Sequence, residues 1–211
     1  MRPLDELRYV EEADVLKAGI KAGRLVRRET AVLFEYDPDY AETGGAPVAT
    51  TLPVDGPPIV THAPGALPPF FSGLLPEGRR LTGLRAAVKT SADDEVSLLL
   101  AVGGDTVGDV QVVPAGEGPP DLEAQVSAEG WEEVRFLDLL AESMGSDGSV
   151  DRAAIPGVQD KISARMINIP LARDNTPFIL KLDPPEFPHL VANEAFFLNA
   201  ARQSGLETAE T

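Results

Sequence analysis

Proline and glycine punctuation limits this chain more firmly than any hydrophobic pattern does. Between residues 56 and 76, proline recurs at Pro57, Pro58, Pro64, Pro68, Pro69 and Pro76, with glycine at Gly56, Gly65 and Gly73. Each proline fixes φ, removes an N–H donor and biases the preceding residue toward extended backbone, so extended or turning chain is predicted there. One part of the stretch differs. Pro69-Phe-Phe-Ser-Gly-Leu-Leu-Pro-Glu77 gathers two aromatics and two leucines around a glycine, which predicts a short helical turn plugged into a core.

The segments on either side read as short elements. Ala13 to Ala18 and Gly23 to Val26 alternate apolar and polar residues, with a glycine turn predicted at Lys21-Ala-Gly23, and Ala31 to Tyr36 is rich in strand-forming types. A three-strand meander is expected, broken by Asp37-Pro-Asp-Tyr and by Gly44-Gly-Ala-Pro47, with one more short strand at Thr50 to Val54. Leu81 to Val88 predicts a helix. A second helix is predicted with Ser91 as N-cap and acidic residues in its first turn, carrying Val96, Leu98, Leu99 and Leu100 to a stop at Gly103-Gly104. Asp105 to Val113 then alternates as one strand, and Pro114 to Pro120 reads as a connection.

The remainder predicts a helix over 129–144 with Trp131 as a core anchor, ended by Gly145-Ser-Asp-Gly148. A strand from Lys161 to Asn168, a hairpin turn at Asp174-Asn175, a strand from Pro177 to Leu182 and a helix from Asn193 to Arg202 follow. Phe196, Phe197 and Leu198 are expected to face inward on that helix. The fold class expected is α+β: a β-rich N-terminal subdomain over residues 1–118, a connecting helical segment over 119–149, and an antiparallel sheet with one helix over 150–211.

Composition narrows the function. A formal charge of −16, from 34 acidic against 18 basic residues, argues against direct binding to nucleic acid, since phosphate neutralisation needs clustered Lys and Arg and only Arg24 to Arg28 offers a short cluster. The chain has no cysteine, which rules out disulfides and thiolate metal sites and fits a reducing cytoplasm. Met1 to Glu12 carries charges throughout, unlike a signal peptide, and no apolar run approaches the roughly 18 residues that a membrane helix needs. His62 and His189 lie far apart, each near prolines, and give neither metal-ligand spacing nor a triad.

Chemistry concentrates in the last third. Ile155-Pro-Gly-Val-Gln-Asp-Lys161 is a glycine turn, where backbone N–H groups can approach phosphate oxygens; Lys181 closes an apolar strand; Glu194 opens a helix. These are the parts a protein-kinase nucleotide site takes from its small lobe. Taken singly, a Pro-Gly pair is usually a plain turn, a lysine at a strand end is usually a solvated edge residue, and a glutamate near a helix start is expected from the helix dipole alone.

From Ala13 to Thr211 the chain resembles the N-terminal half of the HipA family, serine/threonine kinases that act as toxins of toxin–antitoxin pairs. The resemblance is carried by Gly23-Arg-Leu25, Phe34-Glu-Tyr-Asp-Pro38, Phe70-Phe-Ser-Gly-Leu-Leu-Pro-Glu-Gly78, the run from Leu98 to Val112, Ile155 to Lys161, Phe178-Ile-Leu-Lys181 and Asn193-Glu194. It implies that Pro156, Gly157, Val158, Gln159, Asp160 and Lys161 form a phosphate-binding loop. It implies too that Lys181 contacts the nucleotide phosphates and that Glu194 pairs with Lys181. ATP and magnesium are the implied cofactors, a DNA-binding, HipB-like antitoxin the implied partner, and a protein the implied substrate.

Two departures qualify the resemblance. Family members often carry, two residues before the Pro-Gly position, a serine whose autophosphorylation ejects the loop; here Ala154 stands there, Ser149 is the nearest upstream serine, and no self-silencing by that route is expected. The sequence also stops at Thr211, before a catalytic aspartate loop or a metal-binding aspartate, so no catalytic residue is expected in this chain and inactivity alone is predicted. Asp160 and Asp183 are not placed to act as the base. Three alternatives stand: the N-terminal part of a HipA-like kinase, a short non-catalytic relative that binds a kinase or antitoxin, and an unrelated β-rich binding module.

Overall fold

The computed structural model describes residues 2–106, 108–118, 126–127, 135, 153–154, 161–163, 167–168, 179–181, 183 and 188–209. The chain forms two compact units, one from Met1–Glu123 with Ala141–Val158 and the other from Ala124–Leu140 with Gln159–Thr211.

In the first unit, strands β1 (Glu12–Lys17), β2 (Ile20–Arg27), β3 (Val32–Tyr36) and β4 (Ile59–Thr61) run as successive antiparallel neighbours. A fifth strand, separated from β4 by three helices and the two-residue β5 (Asp105–Thr106), is β6 (Val110–Pro114), which returns beside β1 to give the order β4-β3-β2-β1-β6. The meander expected from the sequence is present, but its first turn is not at Lys21-Ala-Gly23. Ala18 and Gly19 make it, both with positive φ, and Lys21 to Gly23 lies inside β2. Gly23 serves close approach instead: a Cβ there would stand 2.3 Å from the Glu35 carbonyl oxygen on β3.

The fourth strand is also displaced from its expected position. Thr50 to Val54 forms no strand, only an isolated bridge between Ala49 and Leu52. The Tyr36 hydroxyl donates to the Leu52 carbonyl (2.5 Å) and accepts from the Val48 N–H (2.8 Å), satisfying that loop from a side chain. Ile59-Val60-Thr61, a triplet free of proline between Pro58 and Pro64, pairs with β3 in its place.

Helix α1 (Pro38–Glu42) is short and starts at Asp37, whose carboxylate accepts the Asp39 N–H at 3.0 Å. Helix α2 (Pro69–Ser72) is the predicted plug: Phe71 is fully buried, its ring centroid 5.1 Å from that of Phe34. Helix α3 (Gly78–Val88) ends at Lys89 in the left-handed conformation. Helix α4 (Glu95–Val102) is buried along its whole length from Val96. Its N-cap is Asp94 and not Ser91, because the Asp94 carboxylate accepts the Ser97 N–H (3.3 Å) and is held in place by the Arg27 guanidinium (2.8 Å) and the Thr90 hydroxyl (2.7 Å). The expected strand from Asp105 to Val113 is two strands, broken where Gly108 takes φ +97. The short β8 (Ala153–Ala154) lies parallel to β5 in the same unit.

The basic cluster is largely spent within the fold. Arg24 pairs with Glu35 at 2.5 Å, and that contact raises its pKa further. Arg27 joins Asp94 and Ser97 and donates to the Arg8 carbonyl.

In the second unit, β7 (Val126–Ser127) pairs in parallel with β10 (Ile167–Asn168), and β9 (Lys161–Ser163) pairs antiparallel with β11 (Ile179–Lys181). Helix α5 (Leu190–Gln203) follows. Phe196 and Phe197 are 68% and 62% exposed, contrary to the inward orientation expected of them. Successive residues on a helix point about 100° apart, the two rings pack edge-to-face on each other, and none of the helix is buried among the described residues. The expected helix over 129–144, with Trp131, and the turn at Asp174-Asn175 lie outside the described residues. The chain is thus a mixture of helices and mainly antiparallel sheet, and no helix among the described residues is long and apolar enough to cross a membrane.

Candidate functional site

The second unit brings two of the sequence-predicted residues together. Lys181 is the last residue of β11, and its Nζ donates to Glu194 Oε1 on the second turn of α5, forming an ion pair. Each side chain is about one-third exposed. An ammonium has three donors and Glu194 engages one, so the remaining two can meet oxygens of an anionic ligand. The β9–β11 register sets Lys161 across from Lys181, with Ile162 opposite Leu180 and Ser163 opposite Ile179.

What fixes Glu194 relative to Lys181 is a residue that sequence reading did not assign to the site. The Asp183 carboxylate accepts the Val191 N–H through Oδ1 (2.8 Å) and the His189 N–H through Oδ2 (2.9 Å). His189 itself takes a left-handed conformation, φ 70, so the chain turns sharply into the helix. Asp183 therefore ties the exit of β11 to the first turn of α5, where a carboxylate also meets the positive end of the helix dipole. An ordinary N-cap pattern would not reveal it, because the capping carboxylate lies six residues before His189.

Pro156, Gly157, Val158, Gln159 and Asp160 lie outside the described residues, and Lys161 is described through its backbone. Ala154 is in β8, opposite Thr106 of β5. Among the described residues no group of three or more His, Asp or Glu side chains could hold a metal ion. The lysine fits the phosphates of a nucleotide; the described residues supply nothing comparable for magnesium.

A comparison with known families matches residues 13–113 to the HipA N-terminal domain. The chain belongs to the HipA family. The match covers the five-stranded sheet and its helices and does not reach the Lys181–Glu194 pair. Among curated relatives, the Sinorhizobium fredii protein Y4mE, named as a kinase, is 32% identical over 154 residues, which is 67% of this chain and 36% of that protein. The serine/threonine-protein kinase toxin HipA of Shewanella oneidensis is 28% identical over 195 residues, covering 89% of this chain and 43% of the toxin. A solved structure of the S. oneidensis HipA and HipB toxin–antitoxin system with its operator DNA has the same fold over 94% of this chain and 46% of that one, with a TM-score of 0.61 at 20% identity. The chain spans less than half the length of these curated relatives.

Proposed function

We propose that this chain supplies the nucleotide-phosphate half of a HipA-like serine/threonine kinase site. In this reading residues 1–118 are the β-rich N-terminal subdomain, 119–149 connect, and 150–211 are the small lobe of the kinase. The observation that carries the reading is the Lys181–Glu194 pair at the junction of β11 and α5 in a chain of this family. Pro156 to Lys161 form the phosphate loop, and Lys181, its flexible stem held by Glu194, sits over the phosphates of ATP. Bound magnesium would neutralise charge on those phosphates. Its ligands would come from outside the described residues. The chain's own residues bind and orient the nucleotide; no described residue is assigned to accept the substrate hydroxyl proton, and the 211-residue chain is expected to bind MgATP weakly and not to turn it over.

Titrating the ¹⁵N-labelled chain with MgATP tests this reading. Shifts centred on residues 155–161, Lys181 and Glu194 are expected, and Lys181→Ala should remove them while leaving the dispersion of the spectrum unchanged. No response, or one spread over the sheet of the first unit, would sink it. In a protein that includes the catalytic lobe, the same substitution should lower phosphoryl transfer by about a hundredfold or more, the scale of losing a charge-stabilising donor.

A DNA-binding antitoxin is proposed as partner, as in the S. oneidensis complex. The net charge of −16 suits docking to a basic protein, and association that slows steeply with added salt is the expected signature.

A further inference from the structure

We propose that the outward face of helix α5, centred on Phe196 and Phe197, is the surface on which the catalytic lobe of the kinase docks. The inference rests on the reading of this chain as the nucleotide-phosphate half of a kinase site and names the surface that joins it to the other half.

Helix α5 turns one flank to its own unit and leaves another bare. The half-buried Glu194, Leu198 and Ala201 share the first flank, where Glu194 meets Lys181 of β11. With successive residues about 100° apart, Ala192, Asn193, Phe196, Phe197, Ala200 and Gln203 fall within a separate arc of about 140°, and all six are exposed. No charge interrupts that arc. Glu194 lies outside it, and so does Arg202, whose guanidinium donates to the Thr208 hydroxyl (3.2 Å) and the Ala209 carbonyl (2.9 Å). The Phe196 and Phe197 rings meet edge-to-face with centroids 5.4 Å apart, so the pair stands as one aromatic wedge. Leu206, just past the Gly205 turn that ends the helix, is 63% exposed as well.

Charge and chain length together choose the occupant. In a chain with a net charge of −16, a charge-free surface is the exception, and aromatic enrichment with depletion of charge marks the core of an interface. A basic antitoxin would be met by carboxylates, and a second copy would bring the same net charge again; a lobe with an apolar surface of its own fits two bare phenylalanines. The S. oneidensis toxin matches 89% of this chain with 43% of its own length, so a HipA-length protein holds more than half of its residues outside the matched part, room enough for such a lobe. The face also continues from the candidate site. Phe197 follows Glu194 by three residues, which makes the two side chains neighbours on the helix surface. A lobe seated on Phe197 arrives beside the carboxylate that holds Lys181.

A chain without cysteine gives a direct test. Ala200→Cys puts a thiol on this face and Ala195→Cys one outside its arc, both at exposed positions. In the 211-residue chain both should take maleimide at the rate of a free thiol. In a HipA-length protein that contains this chain and a catalytic lobe, peptide mapping should show Ala200→Cys slowed by about tenfold or more and Ala195→Cys within about twofold of its rate in the shorter chain. Adding Phe196→Ser/Phe197→Ser should restore fast labelling at Ala200→Cys there, and should leave the circular dichroism of the shorter chain unchanged. Equal labelling of Ala200→Cys in both proteins overturns the proposal. So does equal protection of Ala195→Cys and Ala200→Cys, or protection that survives loss of both phenyl rings. Protection that develops in the 211-residue chain as its concentration rises assigns the face to a second copy and overturns it too. The kinase reading fails separately: a HipA-length protein with Ala200→Cys protected and no phosphoryl transfer keeps the docking face and overturns the nucleotide role.

Discussion

Asp14 shows how much one carboxylate can carry in this sheet. It is nearly buried on β1, 2.7 Å from the Lys21 ammonium, and accepts the Gly116 N–H at 2.9 Å. Burial opposes its charge, but the Gly116 and Lys21 contacts outweigh that and hold its pKa below the ordinary value of 3.8. A pKa lower in the folded than in the unfolded chain means that charged Asp14 stabilises the fold above the unfolded value and stops doing so as the pH falls through the folded one. Asp14→Asn is therefore expected to cost about 1–2 kcal/mol at neutral pH. Unfolding midpoints measured across pH should show that gap closing below about pH 4; a gap that stays constant to pH 2 would refute the assignment. Two glycines make a contrasting pair. Gly23→Ala places a Cβ against backbone of β3 and should destabilise by about 2 kcal/mol or more. Gly83→Ala on α3, with nothing within 4 Å of its Cβ, should stabilise by about 0.5–1 kcal/mol. Denaturant melts of both variants check the signs, and a Gly23→Ala variant no less stable than the unsubstituted chain would mean that close approach to β3 is not what Gly23 provides.

At the scale of elements, the sequence was most legible where a local pattern and burial agreed. The Phe-Phe-Ser-Gly-Leu-Leu cluster reads as a plug, and Phe71 is one; the apolar run from Val96 stops at Gly103 as its glycine pair suggests. Legibility failed where a partner distant in sequence decided the outcome. Gly23 looks like a turn until β3 is beside it, Thr50 to Val54 looks like a strand until the Leu52 carbonyl is found to accept the Tyr36 hydroxyl, and Phe196 and Phe197 look like core until α5 proves to bury nothing among the described residues. The candidate site divides in the same way. Lys181 and Glu194 stand out as a strand end and a helix start, but the carboxylate that aligns them, Asp183, caps across an irregular segment that no short motif describes. Asp183→Ala should destabilise the start of α5 by about 1–2 kcal/mol. Hydrogen exchange at His189 and Val191 should quicken, and the Lys181–Glu194 pair should loosen with it. Unchanged protection at both amides would show that the cap contributes nothing to either.

Across the whole molecule, the buried core is confined to one part of the chain: every buried apolar residue among those described falls between Leu7 and Val113. That span contains the five-stranded sheet to within one residue and the helices packed on it, and among the described residues the elements that follow add only the two-residue β8 to this unit's strands. A segment of about 118 residues is well within the size at which a chain supports its own core. Residues 1–118 expressed alone are therefore expected to fold and to unfold in one cooperative transition, with a urea slope of about 1–2 kcal/mol per molar for a domain of this size. The β5 edge should then be exposed, and exchange at Asp105 and Thr106 should be faster than in the longer chain while β1, β2 and β6 stay protected. This fragment lacks Lys181 and the loop, so it should also give no MgATP response. A broad, non-cooperative transition would show that the later elements are needed to complete the first unit, and unchanged exchange at β5 would show that β8 does not cover it in solution.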